Sequence, residues 1–215
     1  MIILFDLDGT LIDSTDAIVS TFHYSFDVHS SLHVERPSDT EIKNLIGYPL
    51  DIMYAQLGVP EDKVWDFVAT YKEEYRKIST IKTKLLPDSV KAIKKANEFA
   101  ELGIVTTKTG KYSKILMEHF DLMKYFKTLI GYEDVDNPKP HEEPIIKALE
   151  SFNVDNKEIW MVGDTKLDLI SAKNANVNSI GLLCGYGEKK ALEKYTPLIY
   201  NNALDAVNYL KNRKK

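Results

Sequence analysis

Four consecutive apolar residues, Ile2-Ile3-Leu4-Phe5, run straight into Asp6-Leu7-Asp8-Gly9-Thr10. A short run with no polar alternation fits a strand covered on both faces, as strands of a parallel sheet are. The sequence therefore predicts an α/β fold in which Asp6 and Asp8 leave the carboxyl end of a buried strand. Gly9 lets the chain turn there, because it accepts backbone angles closed to other residues. In open parallel sheets this end is where ligands bind.

The pattern then changes period. From Ser14 to about Ile78, apolar residues recur at helical spacing, with Ile18, Phe22, Phe26 and His29 on one face. Ser38 and Glu41 form a capping box for a helix through Ile46, which Gly47 stops. A short helix runs from Leu50 to Leu57, and Pro60 opens a longer one carrying Val64, Phe67, Val68, Tyr71, Tyr75 and Ile78. A compact helical bundle is the simplest reading. After Pro87 helices alternate with apolar runs: Leu102–Thr106, a short strand with Leu129 and Ile130, Ile159–Val162 and Ser179–Leu183. Alternation implies a parallel sheet with right-handed crossovers. The first strand belongs with these, so residues 1–13 and 85–215 are expected to form a Rossmann-like core interrupted by a helical cap at 14–84.

Composition narrows the partners. The chain of 215 residues carries a formal net charge of −4 and no long block of either sign, which argues against nucleic acid or an anionic membrane. No stretch approaches a membrane span, and no basic segment precedes the first strand, so the cytoplasm is the expected location. The single cysteine, Cys184, reads as a small buried hydrophobe, and the basic end Lys211-Asn212-Arg213-Lys214-Lys215 as a solvated tail. A monomer or homodimer is expected.

The strand ends assemble a chemistry. The first delivers Asp6 and Asp8, the second Thr106 and Thr107, and the fourth Gly163, Asp164 and, one helical turn on, Asp168. Lys139 waits in the stiff loop Asn137-Pro138-Lys139-Pro140. Asp6 and Asp164 repel at close range, and a hard cation resolves that; magnesium suits a site of few carboxylates, waters and a phosphate oxygen. A carboxylate can attack phosphorus to form an aspartyl-phosphate. Lys139, the Thr106 hydroxyl and backbone N–H groups of the Asp6–Asp8 turn would hold the equatorial oxygens. Asp8, two residues on, would protonate the leaving oxygen and then activate water. Each residue alone has a plainer reading. Asp8 and Gly9 suit any strand-ending turn, Thr106 any strand, Lys139 a solvated loop, and Asp164 and Asp168 a helix N-terminus. His141 reads as a plain loop residue. Only the joint arrangement points to catalysis.

That arrangement, Asp6-Leu7-Asp8-Gly9-Thr10 with Thr106, Lys139 and Gly163-Asp164 plus Asp168, resembles the four motifs of the haloacid dehalogenase superfamily in order and spacing. The early helical insert is similar to the cap of the phosphoglycolate-phosphatase-like and beta-phosphoglucomutase-like branch. The resemblance implies a magnesium-dependent phosphatase acting on a small phosphorylated metabolite, with Asp6 as nucleophile and Asp8 as acid/base. It implies metal held by Asp6, the Asp8 backbone carbonyl and Asp164, and phosphate bound by Thr106 and Lys139, with Thr107 where asparagine is common. The dehalogenases of the superfamily lack the second aspartate, so Asp8 favours phosphoryl chemistry. Asn174-Ala175-Asn176-Val177 departs from the usual small residue and glycine. Lys43 and Tyr48, around Gly47-Tyr48-Pro49-Leu50, are the cap residues to watch for substrate selection. A phosphoglycolate-like ester is the nearest substrate. A sugar-phosphate mutase or a pyrophosphatase would use the same residues. A phosphoaccepting receiver domain is more distant, because its aspartate follows the third strand and it carries no cap.

Overall fold

The computed structural model describes residues 1–213. The chain divides into two compact units, Met1–Asp13 with Leu85–Lys215, and Ser14–Lys84.

The first unit is built on β1 (Ile2–Phe5). The two-residue strands β2 (Ile12–Asp13) and β3 (Lys84–Leu85) mark where the chain departs and returns. The returning strands are β4 (Glu101–Val105), β5 (Phe126–Ile130), β6 (Ile159–Gly163), β7 (Asn178–Leu182) and β8 (Ile199–Tyr200). They join β1 in a six-stranded sheet of order β5-β4-β1-β6-β7-β8, and every adjacent pair is parallel. β1 is therefore interior, as its unbroken apolar run requires. Ile3 and Phe5 join one core with Ile93, Leu116, Val207 and Leu210. Ile2 and Leu4 face the other, with Ile145, Ala148 and Ala172. Full burial of each such side chain stabilises by roughly 1.5–3 kcal/mol. Phe5 lies level with Ile104 of β4 and Val162 of β6. The residues that follow these strands thus emerge together at one sheet edge.

The second unit holds α1 (Thr15–Val28), α2 (Asp39–Leu45), α3 (Leu50–Gln56) and α4 (Val64–Lys82). The capping box between Ser38 and Glu41 is present. Pro60 opens not the long helix but a 3-10 turn, Glu61–Lys63, and α4 starts after it. The core is aromatic. Phe22 packs on Tyr54 at 4.6 Å and on Tyr71 at 5.1 Å, and Phe26 on Phe67 at 5.1 Å between ring centroids. The buried Ser25 and Tyr54 hydroxyls lie 2.6 Å apart. Ser25 Oγ donates to the Phe22 carbonyl at 2.8 Å, so Tyr54 is the donor of the pair.

The helices of the first unit are α5 (Ser89–Asn97), α6 (Gly110–His119), α7 (Glu143–Leu149), α8 (Lys166–Asn174), α9 (Lys189–Leu192) and α10 (Ala203–Arg213). The last carries the basic end through Arg213 as helix, with Asn212 and Arg213 exposed as a solvated end would be. Ala206, Val207 and Leu210 are buried, Lys211 pairs with Glu98 at 2.6 Å, and the Arg213 guanidinium lies 5.4 Å from the Trp160 ring centre. Sequence reading missed β8 because it is only two residues long, and α10 because its buried residues lie on one face. Lys214 and Lys215 lie outside the described residues. Among the described residues, no helix is long and apolar enough to cross a membrane.

Candidate active site

Lys139 is the centre of the cluster at the sheet edge, and it is 4% exposed. Its ammonium donates to Asp6 Oδ1 at 2.7 Å, to the Val105 carbonyl at 3.0 Å and to Asp168 Oδ1 at 2.5 Å. An ammonium has three hydrogens, and three acceptors meet it. A buried cation is tolerated on those terms and few others. The loop that carries Lys139 is itself fastened. Ser171 Oγ donates to the His141 carbonyl at 2.7 Å and Asn174 Nδ2 to the Pro140 carbonyl at 3.0 Å. The Glu143 carboxylate accepts from the Asp136 and Asn137 backbone N–H groups at 2.8 and 2.9 Å. His141 is exposed, and its Nδ1 accepts the Glu143 N–H at 3.1 Å, as a loop residue would.

Asp164 is fully buried on the other side of Asp6. One oxygen accepts from Thr10 Oγ1 at 2.8 Å and the other from the Tyr186 N–H at 2.8 Å. Two glycines press against it. Gly9 has φ +81°, and a Cβ there would lie 2.4 Å from Asp164 Oδ2; at Gly185 the distance would be 2.1 Å. No side chain fits either place. The Cys184-Gly185-Tyr186-Gly187 loop after β7 is a part of the site that sequence reasoning missed. Its signal was two glycines flanking an aromatic residue at a strand's carboxyl end. Cys184 is half-buried and packs against the core that holds Ile3 and Phe5, while its Sγ–H donates to the Gly9 carbonyl at 3.3 Å.

Asp168 is oriented away from free solvent altogether. Its Oδ1 meets Lys139, while its Oδ2 accepts the Thr165 N–H and hydroxyl at 3.0 and 2.8 Å. It caps α8 and fixes Lys139. Thr106 is buried, and its Oγ1 accepts the Lys108 N–H at 3.2 Å. A hydroxyl that accepts there can still donate its hydrogen. Thr107 is half-buried beside it. Gly163 ends β6 just before Asp164. Asp8 forms an ion pair with Lys108, Oδ2 to Nζ at 3.2 Å, with side chains 11% and 10% exposed. Lys108 was not anticipated, although it lies two residues beyond Thr106 on the same strand end. One expectation is corrected. The Asp6 N–H donates to the Val162 carbonyl at 2.9 Å, so it belongs to the sheet and not to a phosphate cradle. In the helical unit, Lys43 is exposed on α2 and Tyr48 is half-buried after it.

The charges do not balance by themselves. Asp6, Asp164 and Asp168 present carboxylate oxygens within 4.8 Å of one another, against the single charge of Lys139. Burial pushes the Asp6 carboxyl up to about 7, with Lys139 opposing and Asp168 adding to the rise. Burial, then the Asp6 and Asp168 charges, push Asp164 well above its ordinary range. Burial works against the Lys139 charge, yet Asp168 and Asp6 outweigh it and hold the ammonium protonated. With all four ionised, two negative charges remain uncompensated, which a divalent cation would cancel. Asp168 Oδ2 already takes two donors and its Oδ1 meets the Lys139 ammonium, whereas each Asp164 oxygen takes one neutral donor and keeps a lone pair, so Asp6 and Asp164 fit best as ligands. The all-oxygen donor set suits magnesium.

Residues 3–182 match the family model described as haloacid dehalogenase-like hydrolase. The pyrophosphatase PpaX of Halalkalibacterium halodurans is 32% identical over 178 residues, covering 82% of this chain and 80% of that protein. A 5'-nucleotidase of Pseudomonas aeruginosa is 28% identical over 203 residues, covering 92% and 89%. Among solved structures, a haloacid dehalogenase-like family hydrolase of Streptococcus pneumoniae superposes with a TM-score of 0.85 at 26% identity, covering 97% of both chains.

Proposed function

The chain belongs to the haloacid dehalogenase-like hydrolases, and from that premise we propose that it is a magnesium-dependent phosphatase of a small phosphorylated metabolite, acting through Asp6. The observation that carries the reading is the Lys139 ammonium shared between Asp6 and Asp168 beside a buried Asp164. Asp6 and Asp164, with the Asp8 backbone carbonyl, would hold the metal. When bound, the cation supplies positive charge that keeps Asp6 ionised and offsets the charge of an approaching phosphate.

In the first half-reaction an Asp6 carboxylate oxygen attacks phosphorus, the bond from phosphorus to the leaving oxygen breaks, and Asp8 gives that oxygen its proton. The product is an aspartyl-phosphate and a free alcohol or acid. In the second, Asp8, now a carboxylate, takes a proton from water. The water oxygen bonds to phosphorus, and the bond to Asp6 breaks. Inorganic phosphate leaves with both carboxyl groups restored. Lys139 offsets charge on the transferring group from where it is held, since its three hydrogens serve Asp6, Val105 and Asp168. The Thr106 hydroxyl donates to a phosphate oxygen. Thr10, Gly9 and Gly163 shape the turns that present the carboxylates.

On substrate, the resemblance to the phosphoglycolate-phosphatase-like branch favours a phosphoglycolate-like ester. The relative named PpaX favours pyrophosphate as a second reading. A phosphate-release screen with magnesium across phosphoglycolate, hexose phosphates, nucleotides and pyrophosphate tests the proposal. The expected result is turnover by the wild type and none above background by Asp6→Asn. No release from any ester, or equal release by both proteins, sinks it.

A further inference from the structure

Lys108 is a charged residue beside Asp8 that the reaction above leaves without a task. Its backbone is fixed at both polar groups: its N–H donates to Thr106 Oγ1 at 3.2 Å, and its carbonyl accepts the Tyr132 N–H at 3.1 Å. Its ammonium stands 3.2 Å from Asp8 Oδ2, nearly out of solvent. Holding a lysine this deep costs rotamer entropy and hydration, so the position is specified by the fold and not left to a solvated loop.

The geometry divides the two cations of the site between the two ends of the substrate. Lys139 belongs to the phosphoryl end, because it is bonded to Asp6. Lys108 belongs to the leaving end, because it is bonded to Asp8, the residue assigned to the leaving oxygen. A hydrogen bond from Asp8 to that oxygen spans about 2.8 Å, so the Lys108 ammonium lies within roughly 6 Å of it where Asp8 Oδ2 makes both contacts and within roughly 8 Å where Oδ1 carries the proton. A carboxylate or phosphate one or two bonds beyond the leaving oxygen falls inside that radius. A neutral alcohol offers at most a hydroxyl there, without the charge that makes a hydrogen bond from an ammonium strong.

We propose that Lys108 selects the substrate class: it binds an anionic group on the leaving portion, so the preferred substrates release an acid anion and not a neutral alcohol. The inference rests on the assignment of Asp8 to the leaving oxygen.

The test is a matched pair of esters with the full chain and magnesium: phosphoglycolate, and 2-hydroxyethyl phosphate, in which a hydroxymethyl group replaces the carboxylate. The wild type is expected to prefer phosphoglycolate in kcat/KM by about 30-fold, the worth of one charge-assisted hydrogen bond. In Lys108→Met the preference collapses to within about threefold, chiefly through KM, and Lys108→Arg restores part of it. The ratio between the two esters cancels any general damage to the fold. A wild-type ratio near one, or a Lys108→Met protein that keeps the wild-type ratio, overturns the inference while leaving the phosphatase reading intact. No turnover of either ester, of pyrophosphate or of p-nitrophenyl phosphate overturns both.

Discussion

Lys139 Nζ donates to Asp6 Oδ1 at 2.7 Å across 133 residues of sequence. This bond makes one site of two segments that are otherwise unrelated, and it couples the fold to the chemistry. The ammonium that orients the nucleophile is also the charge that opposes Asp6 and meets Asp168 directly. Its removal should be felt in stability as much as in rate.

Lys139→Met leaves those carboxylates buried without a cation. Breaking a buried ion pair from one side costs about 3–5 kcal/mol, and the cost grows with pH as the orphaned carboxylates ionise. Urea unfolding at pH 5 and pH 8 should show the larger loss at pH 8. Equal losses at both would mean that the Asp6 and Asp164 carboxyls do not change charge over this range.

Magnesium should stabilise the protein, and more so in mild alkali than in mild acid. The Asp6 carboxyl is raised from 3.8 to about 7 in the fold. Between those values the folded chain binds more protons than the unfolded one, so this group's contribution without metal declines as pH rises through the window. A cation competes with those protons, so its affinity rises over the same range. Thermal melts with and without magnesium should therefore separate more at pH 8 than at pH 5.5, and the stabilisation at pH 8 reaches about 2.7 kcal/mol once the ion is at a hundred times its Kd there. Asp164→Asn should abolish the separation. A separation that shrinks with pH contradicts the site.

Gly185→Ala would place a methyl carbon 2.1 Å from Asp164 Oδ2. The loop or the carboxylate must shift, and either breaks the Tyr186 N–H bond to that oxygen. The magnesium-dependent rise in melting temperature should fall by at least half, while far-ultraviolet circular dichroism stays at the wild-type level. An unchanged metal response would show that the glycine is not part of the cradle.

In the helical unit, donor direction predicts an asymmetry. Tyr54 donates to Ser25 Oγ, which in turn donates to the Phe22 carbonyl. Tyr54→Phe removes one bond and leaves Ser25 still donating, at about 1 kcal/mol. Ser25→Ala strands a buried phenol and should cost more, about 1–3 kcal/mol. Chemical denaturation of the two variants checks the order.

The parts of this molecule that were legible in sequence share a cause. Ile2–Phe5 announced a doubly buried strand because both of its faces meet helices. Asp6, Asp8 and Asp164 were legible because strand ends converge by topology, whatever lies between them. What Lys139 does was not legible. Nothing local distinguishes a solvated lysine from one with three buried acceptors, which come from the turn after β1, from β4 and from α8. The same holds for Lys108, whose partner is 100 positions away, and for α10, whose charged end packs on Trp160 and Glu98. The Gly185-Tyr186 turn was hidden because a backbone N–H, not a side chain, makes the contact.

The claim on which the rest depends is that Asp6 becomes phosphorylated. Asp8→Asn, given acetyl phosphate and magnesium, uses a leaving group that needs no proton, so the first half-reaction proceeds while the second stalls. Quenching in acid, reducing with borohydride and sequencing the peptides by mass spectrometry should then find homoserine at position 6. It should be absent when Asp6→Asn is added to the same protein. Homoserine at another aspartate, or none under conditions where the wild type releases phosphate, would contradict the account.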